Sequence, residues 1–277
     1  MSLGGEISRT DIVGELRQLW ASIAEVTAQL DQSQWLTPTR CPGWSVQDIV
    51  SHMVGTESIL AGRPPPDVTA GHERAPHVRN DLGALNEASV AERRHRPGVE
   101  VHDEFVAITD ERLVALERMA QSQFDEEAWT PVGLATYGRF MRLRLFDCWV
   151  HEQDIREALG RPGHLDGPVV DRAMDEIGVG LCYVIAKLAK APKGSTVAVH
   201  ISAPHRRRFD VVVEQRARLS AQPMLAPTAS LALSLPDFVA LVAGRADLSS
   251  VRAEGTLKLA GSIPLAERIA ENLAYVI

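Results

Sequence analysis

The sequence predicts an α+β protein: a helical bundle followed by a small domain of mixed strands and helices. Apolar residues recur at helical spacing through most of the first 165 residues. After Gly167-Pro168 the pattern changes, and short segments of alternating apolar and polar residues begin near residue 196. A chain of 277 residues is long enough for two domain cores. We therefore expect a bundle over residues 7–165, a connecting helix over 166–194 and an α+β domain over 195–277.

The helices of the predicted bundle are bounded by local signals. The first spans about 7–30 and places apolar side chains on one face, at Ile12, Leu16, Leu19, Ile23, Val26 and Leu30. Ser45 stands three residues before Asp48, which resembles a capping box and predicts a helix to about residue 60. A polar stretch over 67–77 is expected to be a loop. Further helices are predicted over about 80–94, 100–121 and 137–159, the last ending at Gly160-Arg-Pro162.

The second half is predicted to alternate between helices and strands. A helix over 169–190 is followed by strand-like segments at 196–201, 209–213 and 229–234. A short helix opens with a proline at 236–243. Residues 251–259 alternate again and are expected to form a strand with Gly255 as a bulge, before a closing helix over 263–276.

Composition and charge narrow the function classes. The net charge is −7, and the densest basic run, Arg206-Arg207-Arg208, lies between apolar alternating segments, so we expect no nucleic-acid partner. No apolar run reaches the roughly 20 residues that cross a bilayer, and no signal peptide is visible, so we expect no membrane association. The three cysteines are widely spaced and form no CxxC pair, which indicates a reducing compartment and a cytoplasmic protein.

The most informative segment is 147–154, with the sequence DCWVHEQD. At about 100° per residue, Asp147, His151 and Asp154 share one stripe of a helix, while Glu152 and Arg156 point away, toward solvent. Two carboxylates and an imidazole are costly to bury without a compensating charge. A divalent metal supplies that charge, so the stripe predicts a metal site.

A second helix offers one further ligand. His52 borders the apolar stripe of the helix that begins after Ser45, and we expect it to face the bundle interior. A single histidine in this position is also typical of a hydrogen-bonded core residue. From spacing alone, a metal site and a buried hydrogen-bond network remain two alternatives. Cys148 points about 100° away from the stripe and is not counted as a ligand.

Four sequence segments, two in each predicted domain, carry a family resemblance. The segments TRCPGWSVQDIVSHMVG at 39–55 and DCWVHEQDIREALGRP at 147–162 resemble the mycothiol-dependent maleylpyruvate isomerase family, whose bundles belong to the DinB-like metal-binding group. The segments LPDFVALVAGR at 235–245 and GTLKLAG at 255–261 are similar to the sterol-carrier-protein-2-like domain found at the C-terminus of those proteins. The resemblance implies a DinB-like four-helix bundle joined to a small α+β domain.

The resemblance also implies a site and its cofactors. A divalent metal, typically zinc, would be held by His52, Asp147 and His151, with Asp147 standing where the family more often has Glu. Asp154 would orient His151 or handle a proton. Arg245 matches a Gly-Arg position and would bind an anionic group of the substrate; a structural ion pair is the other interpretation. Mycothiol, or a similar low-molecular-weight thiol, is the expected cofactor.

These observations predict a metal-dependent enzyme that activates a small thiol for isomerisation or S-transfer on a small electrophilic substrate. Two other interpretations remain. The protein could be a non-catalytic module that binds a lipid or another small ligand, or a regulatory protein in which the metal is structural.

Overall fold

The computed structural model describes residues 7–67 and 75–276, and the chain divides into two compact units. The first unit is Ile7–His164, and the second begins at Leu165. None of the helices in the described ranges is long and apolar enough to cross a bilayer. The predicted loop at 67–77 lies mostly outside those ranges, because residues 68–74 are not among them.

Four long helices build the first unit. They are α1 (Arg9–Thr27), α3 (Val46–Leu60), α5 (Gly98–Arg118) and α7 (Tyr137–Ala158). Both α1 and α3 pack against α5 and α7, which gives a four-helix bundle and confirms the predicted architecture. Shorter elements complete the unit: α2 (Gln32–Trp35), α4 (Asp81–Ala91), α6 (Gln121–Phe124), and the antiparallel strands β1 (Glu127–Thr130) and β2 (Gly133–Thr136).

The helix signals read from the sequence correspond to observed elements. The predicted apolar face of α1 is buried from Ile12 to Val26, although the helix ends at Thr27 and Leu30 lies beyond it. Ser45 caps α3 by accepting a hydrogen bond from the Asp48 amide, while the Asp48 carboxylate accepts from the Ser45 amide. The capping box is therefore confirmed, with Asp serving in place of Glu or Gln.

The expectation that Glu152 and Arg156 point to solvent is wrong. Glu152 is 0% exposed, and its carboxylate accepts hydrogen bonds from Ser22, Arg156 and His164. The reason is that α7 packs against neighbours on more than one side, including α1, which carries Ser22. A helix that packs on several sides has no single buried face, so a helix wheel with one core face mispredicts which of its residues are exposed.

The second unit contains a five-stranded sheet. Its strands are β3 (Thr196–Ile201), β4 (Arg207–Val213), β5 (Ala217–Leu219), β6 (Ala229–Leu233) and β7 (Lys258–Gly261), in the order β5-β4-β3-β6-β7. Strands β3 and β6 are parallel, and the other neighbours are antiparallel. The helices α8 (Pro168–Tyr183) and α11 (Ile263–Glu271) pack against this sheet.

Three predictions for the second unit need correction. The helix predicted over 169–190 continues past α8 as a π-helical segment, Val184–Leu188, and the closing helix is shorter than predicted. The short helix at 236–243 is observed as α9 (Leu235–Val242). The strand predicted over 251–259 is wrong in its first part, where α10 (Leu248–Ala253) is followed by Gly255 at a φ of 70°, and β7 begins only at Lys258. Gly255 thus lies where glycine commonly ends a helix, instead of forming a bulge.

Candidate metal centre

Helices α3 and α7 bring the three predicted ligands together. His52 comes from α3, Asp147 and His151 come from α7, and one donor atom of each lies within 4.8 Å of the other two. His52 Nε2 is 3.3 Å from Asp147 Oδ2, and His151 Nε2 is 3.7 Å from Asp147 Oδ1. Both imidazoles are buried, whereas the Asp147 side chain is 37% exposed.

The three side chains are close enough to share a small divalent ion, and the two measured distances end on different oxygens of Asp147. For metal–ligand bonds of about 2.0–2.2 Å at tetrahedral angles, neighbouring donor atoms lie about 3.3–3.6 Å apart. Two imidazole nitrogens and one carboxylate form a donor set that suits Zn²⁺ and leaves a coordination position open for another ligand. The residues present therefore fit the ion that the sequence predicts.

Arg144 fixes the charge and orientation of Asp147. Its guanidinium donates to Asp147 Oδ2 at 2.6 Å, which leaves Oδ1 as the oxygen that faces His151. Burial alone would raise the pKa of Asp147, but the positive charge of Arg144 and the interactions with His151 and His52 hold this pKa well below its usual value. Asp147 is consequently a carboxylate anion at neutral pH.

A buried ion-pair network holds Arg144 in turn. Glu57 on α3 is 1% exposed and accepts hydrogen bonds from Arg144 at 3.0 Å and from Arg112 at 3.1 Å. Arg112 also donates to the hydroxyl of Tyr137. Because each charge in this network has an opposite partner, the desolvation of Arg144 is compensated, and its pKa is raised. No local sequence pattern predicts this network, since the pairing joins positions far apart in the chain.

The environment of His52 favours the neutral imidazole. Burial lowers the pKa of His52, and the interaction with Asp147 only partly offsets this effect. Its Nδ1 atom is buried and has no hydrogen-bond partner among the described residues. A neutral imidazole is the form that binds a metal.

Asp154 lies on the other side of His151. Its Oδ2 atom is 3.1 Å from His151 Nδ1, and both side chains are buried. In this position Asp154 can accept the Nδ1 proton and leave Nε2 unprotonated toward Asp147, which is the arrangement of a carboxylate that orients a metal-ligating histidine.

An indole ring covers the two imidazoles. The segment Cys41-Pro42-Gly43-Trp44 forms a turn closed by a hydrogen bond from the Trp44 amide to the Cys41 carbonyl, with Gly43 at a φ of 80°. The Trp44 ring centroid lies 5.2 Å from that of His52 and 5.9 Å from that of His151. The turn therefore places one aromatic ring against both candidate ligands.

Glu87 on α4 holds this indole ring. Its Oε2 atom accepts a hydrogen bond from Trp44 Nε1 at 2.9 Å and lies 2.8 Å from His77 Nε2, while Oε1 accepts from Arg94 at 2.7 Å. Trp44, His77 and Glu87 were not predicted as site residues. The sequence Pro42-Gly43-Trp44 lies within a family motif, and no spacing rule links it to residue 87.

The cysteines divide into two kinds. Cys148 is buried, and burial raises the pKa of its thiol to about 12, in agreement with its exclusion as a ligand. Cys41 is half-buried, and its sulfur, a ring nitrogen of His151 and a carboxylate oxygen of Asp154 lie within 4.8 Å of one another. The sequence analysis did not predict this proximity.

Arg245 belongs to the second unit, directly after α9. Its amide donates to the Ala240 carbonyl at 2.7 Å, next to Gly244 at a φ of 65°, and its guanidinium donates to the Ala243 carbonyl at 2.9 Å. The backbone contacts explain the Gly-Arg sequence as a helix end. Its role in binding an anion remains a prediction.

These observations define a class of protein in which a four-helix bundle with a candidate metal centre is followed by an α+β unit. Comparison with protein families specifies it further. The mycothiol maleylpyruvate isomerase N-terminal domain matches residues 16–156, and the SCP-2 sterol transfer family matches residues 185–274. The chain therefore belongs to the mycothiol maleylpyruvate isomerase N-terminal domain family, which confirms the resemblance read from its motifs.

Two solved structures have the same fold as this chain. A crystal structure of the mycothiol-dependent maleylpyruvate isomerase is 14% identical and covers 89% of this chain and 92% of that chain, with a TM-score of 0.58. A mutant form of the mycothiol-dependent maleylpyruvate isomerase gives a TM-score of 0.59 at 12% identity, covering 94% and 95%. At such identities the likeness establishes the fold alone.

An uncharacterized protein of Mycobacterium tuberculosis is 23% identical over 157 residues, which are 53% of this chain and 56% of that protein. The chain thus spans about half the length of the curated relatives it matches.

Proposed function

We propose that this protein is a metal-dependent isomerase that uses a low-molecular-weight thiol, mycothiol or a close analogue, to act on a small electrophilic substrate. The observation that carries the proposal is that His52, Asp147 and His151 each place a donor atom within 4.8 Å of the other two, and that two imidazole nitrogens with one carboxylate are a donor set that suits Zn²⁺. The names of the structural neighbours, which are mycothiol-dependent maleylpyruvate isomerases, support the choice of thiol and reaction.

In this proposal each residue around the ion has a separate task. His52 and His151 contribute neutral nitrogen donors, and Asp147 contributes a negative charge through Oδ1 while Arg144 occupies Oδ2. Asp154 keeps the proton of His151 on Nδ1, and Trp44 covers both imidazoles and limits the access of water. A divalent ion bound here would lower the pKa of a thiol in its open position, which makes a thiolate available at neutral pH.

A thiolate adds reversibly to an activated double bond and can therefore isomerise it without being consumed. If the thiol stays attached to the product, the reaction is an S-transfer instead. Both outcomes require the same site, so the products of a reaction distinguish them. We place this chemistry in the cytoplasm, because reduced low-molecular-weight thiols belong to reducing compartments.

The proposal is tested by His151→Ala, with His95→Ala as the control because His95 is an exposed histidine of the same unit. Wild type and the control are expected to carry about one zinc per chain and to convert maleylpyruvate only when mycothiol is present, because three protein ligands define one ion position. His151→Ala is expected to lose both properties. Elemental analysis by mass spectrometry and a thiol-dependence assay provide the measurements. Equal metal content in all three proteins would refute the ligand assignment.

The match of residues 185–274 to the SCP-2 sterol transfer family favours a second candidate function, the binding of a lipid or another apolar ligand. A lipid that co-purifies with protein lacking stoichiometric metal would favour this candidate over the enzyme. A metal present at full occupancy, with loss of folding on chelation, would indicate a structural ion instead.

A further inference from the structure

Two sets of metal-ligand side chains overlap at one histidine. Among the described residues, His52, Asp147 and His151 form the first set, and Cys41, His151 and Asp154 form the second. In each set the donor atoms lie within 4.8 Å of one another. Cys41 is half-buried, while His151 and Asp154 are buried.

We propose that Cys41, His151 and Asp154 form a second position for a divalent metal, and that one ion alternates between the two sets. A thiolate, an imidazole and a carboxylate are a donor combination that suits Zn²⁺ and ions with similar preferences. The turn that ends at Trp44 fixes the backbone of Cys41, because its closing hydrogen bond runs from the Trp44 amide to the Cys41 carbonyl.

The imidazole of His151 makes the two sets alternatives. Its Nε2 atom lies 3.7 Å from Asp147 Oδ1, and its Nδ1 atom lies 3.1 Å from Asp154 Oδ2. A neutral imidazole offers one lone pair and one N–H group. When the proton is on Nδ1, it forms a hydrogen bond to Asp154, and the Nε2 lone pair can bind an ion in the first set. When the proton is on Nε2, the Nδ1 lone pair can bind an ion in the second set.

The second position changes which thiol the ion holds. Coordination of Cys41 releases the proton of its thiol to solvent and requires no oxidant. An ion in that position carries the protein's own thiolate, whereas an ion in the first set has its open position available for an external thiol. This inference rests on the proposed function for the first ligand set and adds a resting position for the same ion.

The experiment uses Co²⁺ as a spectroscopic probe, because a cobalt–thiolate bond produces a charge-transfer band in the near ultraviolet. The full chain is stripped of metal, kept reduced, and titrated with Co²⁺. Wild type is expected to bind one Co²⁺ and to show the band. In Asp147→Asn the ion is expected to move to the second set, so the band per bound Co²⁺ increases. In Cys41→Ser the band is lost while one Co²⁺ remains bound.

Cys182→Ser is the matched control, since Cys182 is a free, partly exposed cysteine of the other unit. The charge-transfer band of this variant is expected to equal that of wild type. If circular dichroism shows that Asp147→Asn does not fold, His52→Gln disables the first set in its place. A band that persists in Cys41→Ser, or a first-set variant that binds no Co²⁺ or binds it without the band, would overturn the proposal. Turnover does not enter this measurement, so an absence of thiol-dependent activity would count against the proposed function and not against the second position.

Discussion

Helix α7 carries two carboxylates, Asp147 and Glu152, that are each surrounded by histidine and arginine side chains but differ in burial and in hydrogen bonding. Asp147 lies near two histidines and one arginine, and Glu152, five residues later, lies near His164 and Arg156. At Glu152 both oxygens accept hydrogen bonds, including one from Ser22, and the side chain is 0% exposed. At Asp147 the carboxylate is 37% exposed and faces two imidazoles at distances longer than a good hydrogen bond.

The two carboxylates differ in burial and in how many of their oxygens accept hydrogen bonds, and these differences separate a structural carboxylate from a candidate metal ligand. A carboxylate whose oxygens are all occupied by donors has no lone pair directed at a missing group. Asp147 has one oxygen occupied by Arg144 and the other directed toward His151, which is the geometry that an ion would complete. Residue type and charge alone do not separate the two clusters.

The largest effect on stability is expected from Glu152→Gln. This change leaves Arg156 without its buried negative partner, and breaking such a pair costs about 3 kcal/mol of unfolding free energy. The metal content is expected to stay at the wild-type level. Chemical denaturation and elemental analysis test both statements. Glu157→Gln on the same helix is the control, because Glu157 forms an exposed ion pair with Arg40 and is expected to change stability by less than about 1 kcal/mol. Equal stabilities of the two variants would show that the Glu152 cluster is not structural.

Asp154→Asn, in contrast to Glu152→Gln, is expected to change metal binding. The amide no longer attracts the Nδ1 proton of His151 with a full negative charge, so we expect metal affinity to fall about 10–100-fold. Competition with a chromophoric chelator measures this affinity. Asp103→Asn, at a 75% exposed aspartate of α5, is expected to bind metal as wild type does. An unchanged affinity in Asp154→Asn would remove Asp154 from the candidate site.

Arg245 in the second unit is a cationic residue for which substrate binding is predicted. If Arg245 binds an anionic group of the substrate, Arg245→Ala is expected to raise KM about tenfold with little change in metal content. The reason is that a charge-assisted hydrogen bond contributes about 1.5 kcal/mol. The same variant is expected to have no effect on KM for an uncharged ester of the substrate. Arg252→Ala, at an exposed ion pair with Glu267, is the control. A tenfold change for acid and ester alike would point to a structural role.

The sequence predicted the elements whose signals are local. The period of α1, the capping box at Ser45 and Asp48, and the helix end at Gly160 depend on residues a few positions apart, and each corresponds to an observed feature. The strand predicted over 251–259 failed because a short alternating segment also fits a helix followed by a turn. The β1–β2 hairpin was missed, since its strands have four residues each and lie largely at the surface.

The candidate site was predicted as far as one helix wheel allows. Asp147, His151 and Asp154 are four and three residues apart, so their common face follows from helix geometry. The pairing of Arg144 with Glu57 joins residues 87 positions apart, and no local rule predicts it. The prediction that Glu152 faces solvent failed for the same reason, because α1 and residue 164 supply the groups that cover it.

Glu87 accepts hydrogen bonds on both oxygens, as Glu152 does, and lies at the candidate site, as Asp147 does. Its substitution is expected to have the smallest effect, a change in the pH dependence of stability. Burial would raise its pKa, but hydrogen bonds from Trp44, His77 and Arg94 outweigh burial and lower this pKa below 4.5. A carboxyl whose pKa is lower in the folded state contributes stability above its unfolded pKa, and this contribution is lost as the pH falls through the folded pKa.

Unfolding measurements between pH 6 and pH 3 should therefore show a weaker loss of stability in Glu87→Gln than in wild type, with the difference developing below about pH 4.5. Glu92→Gln, at an exposed residue near the end of the same helix, is expected to follow the wild-type profile. If Glu87→Gln retains the full acid sensitivity, the carboxylate is not held by its three donors. Trp44 would then be positioned against the two imidazoles by packing and not by the charge of Glu87.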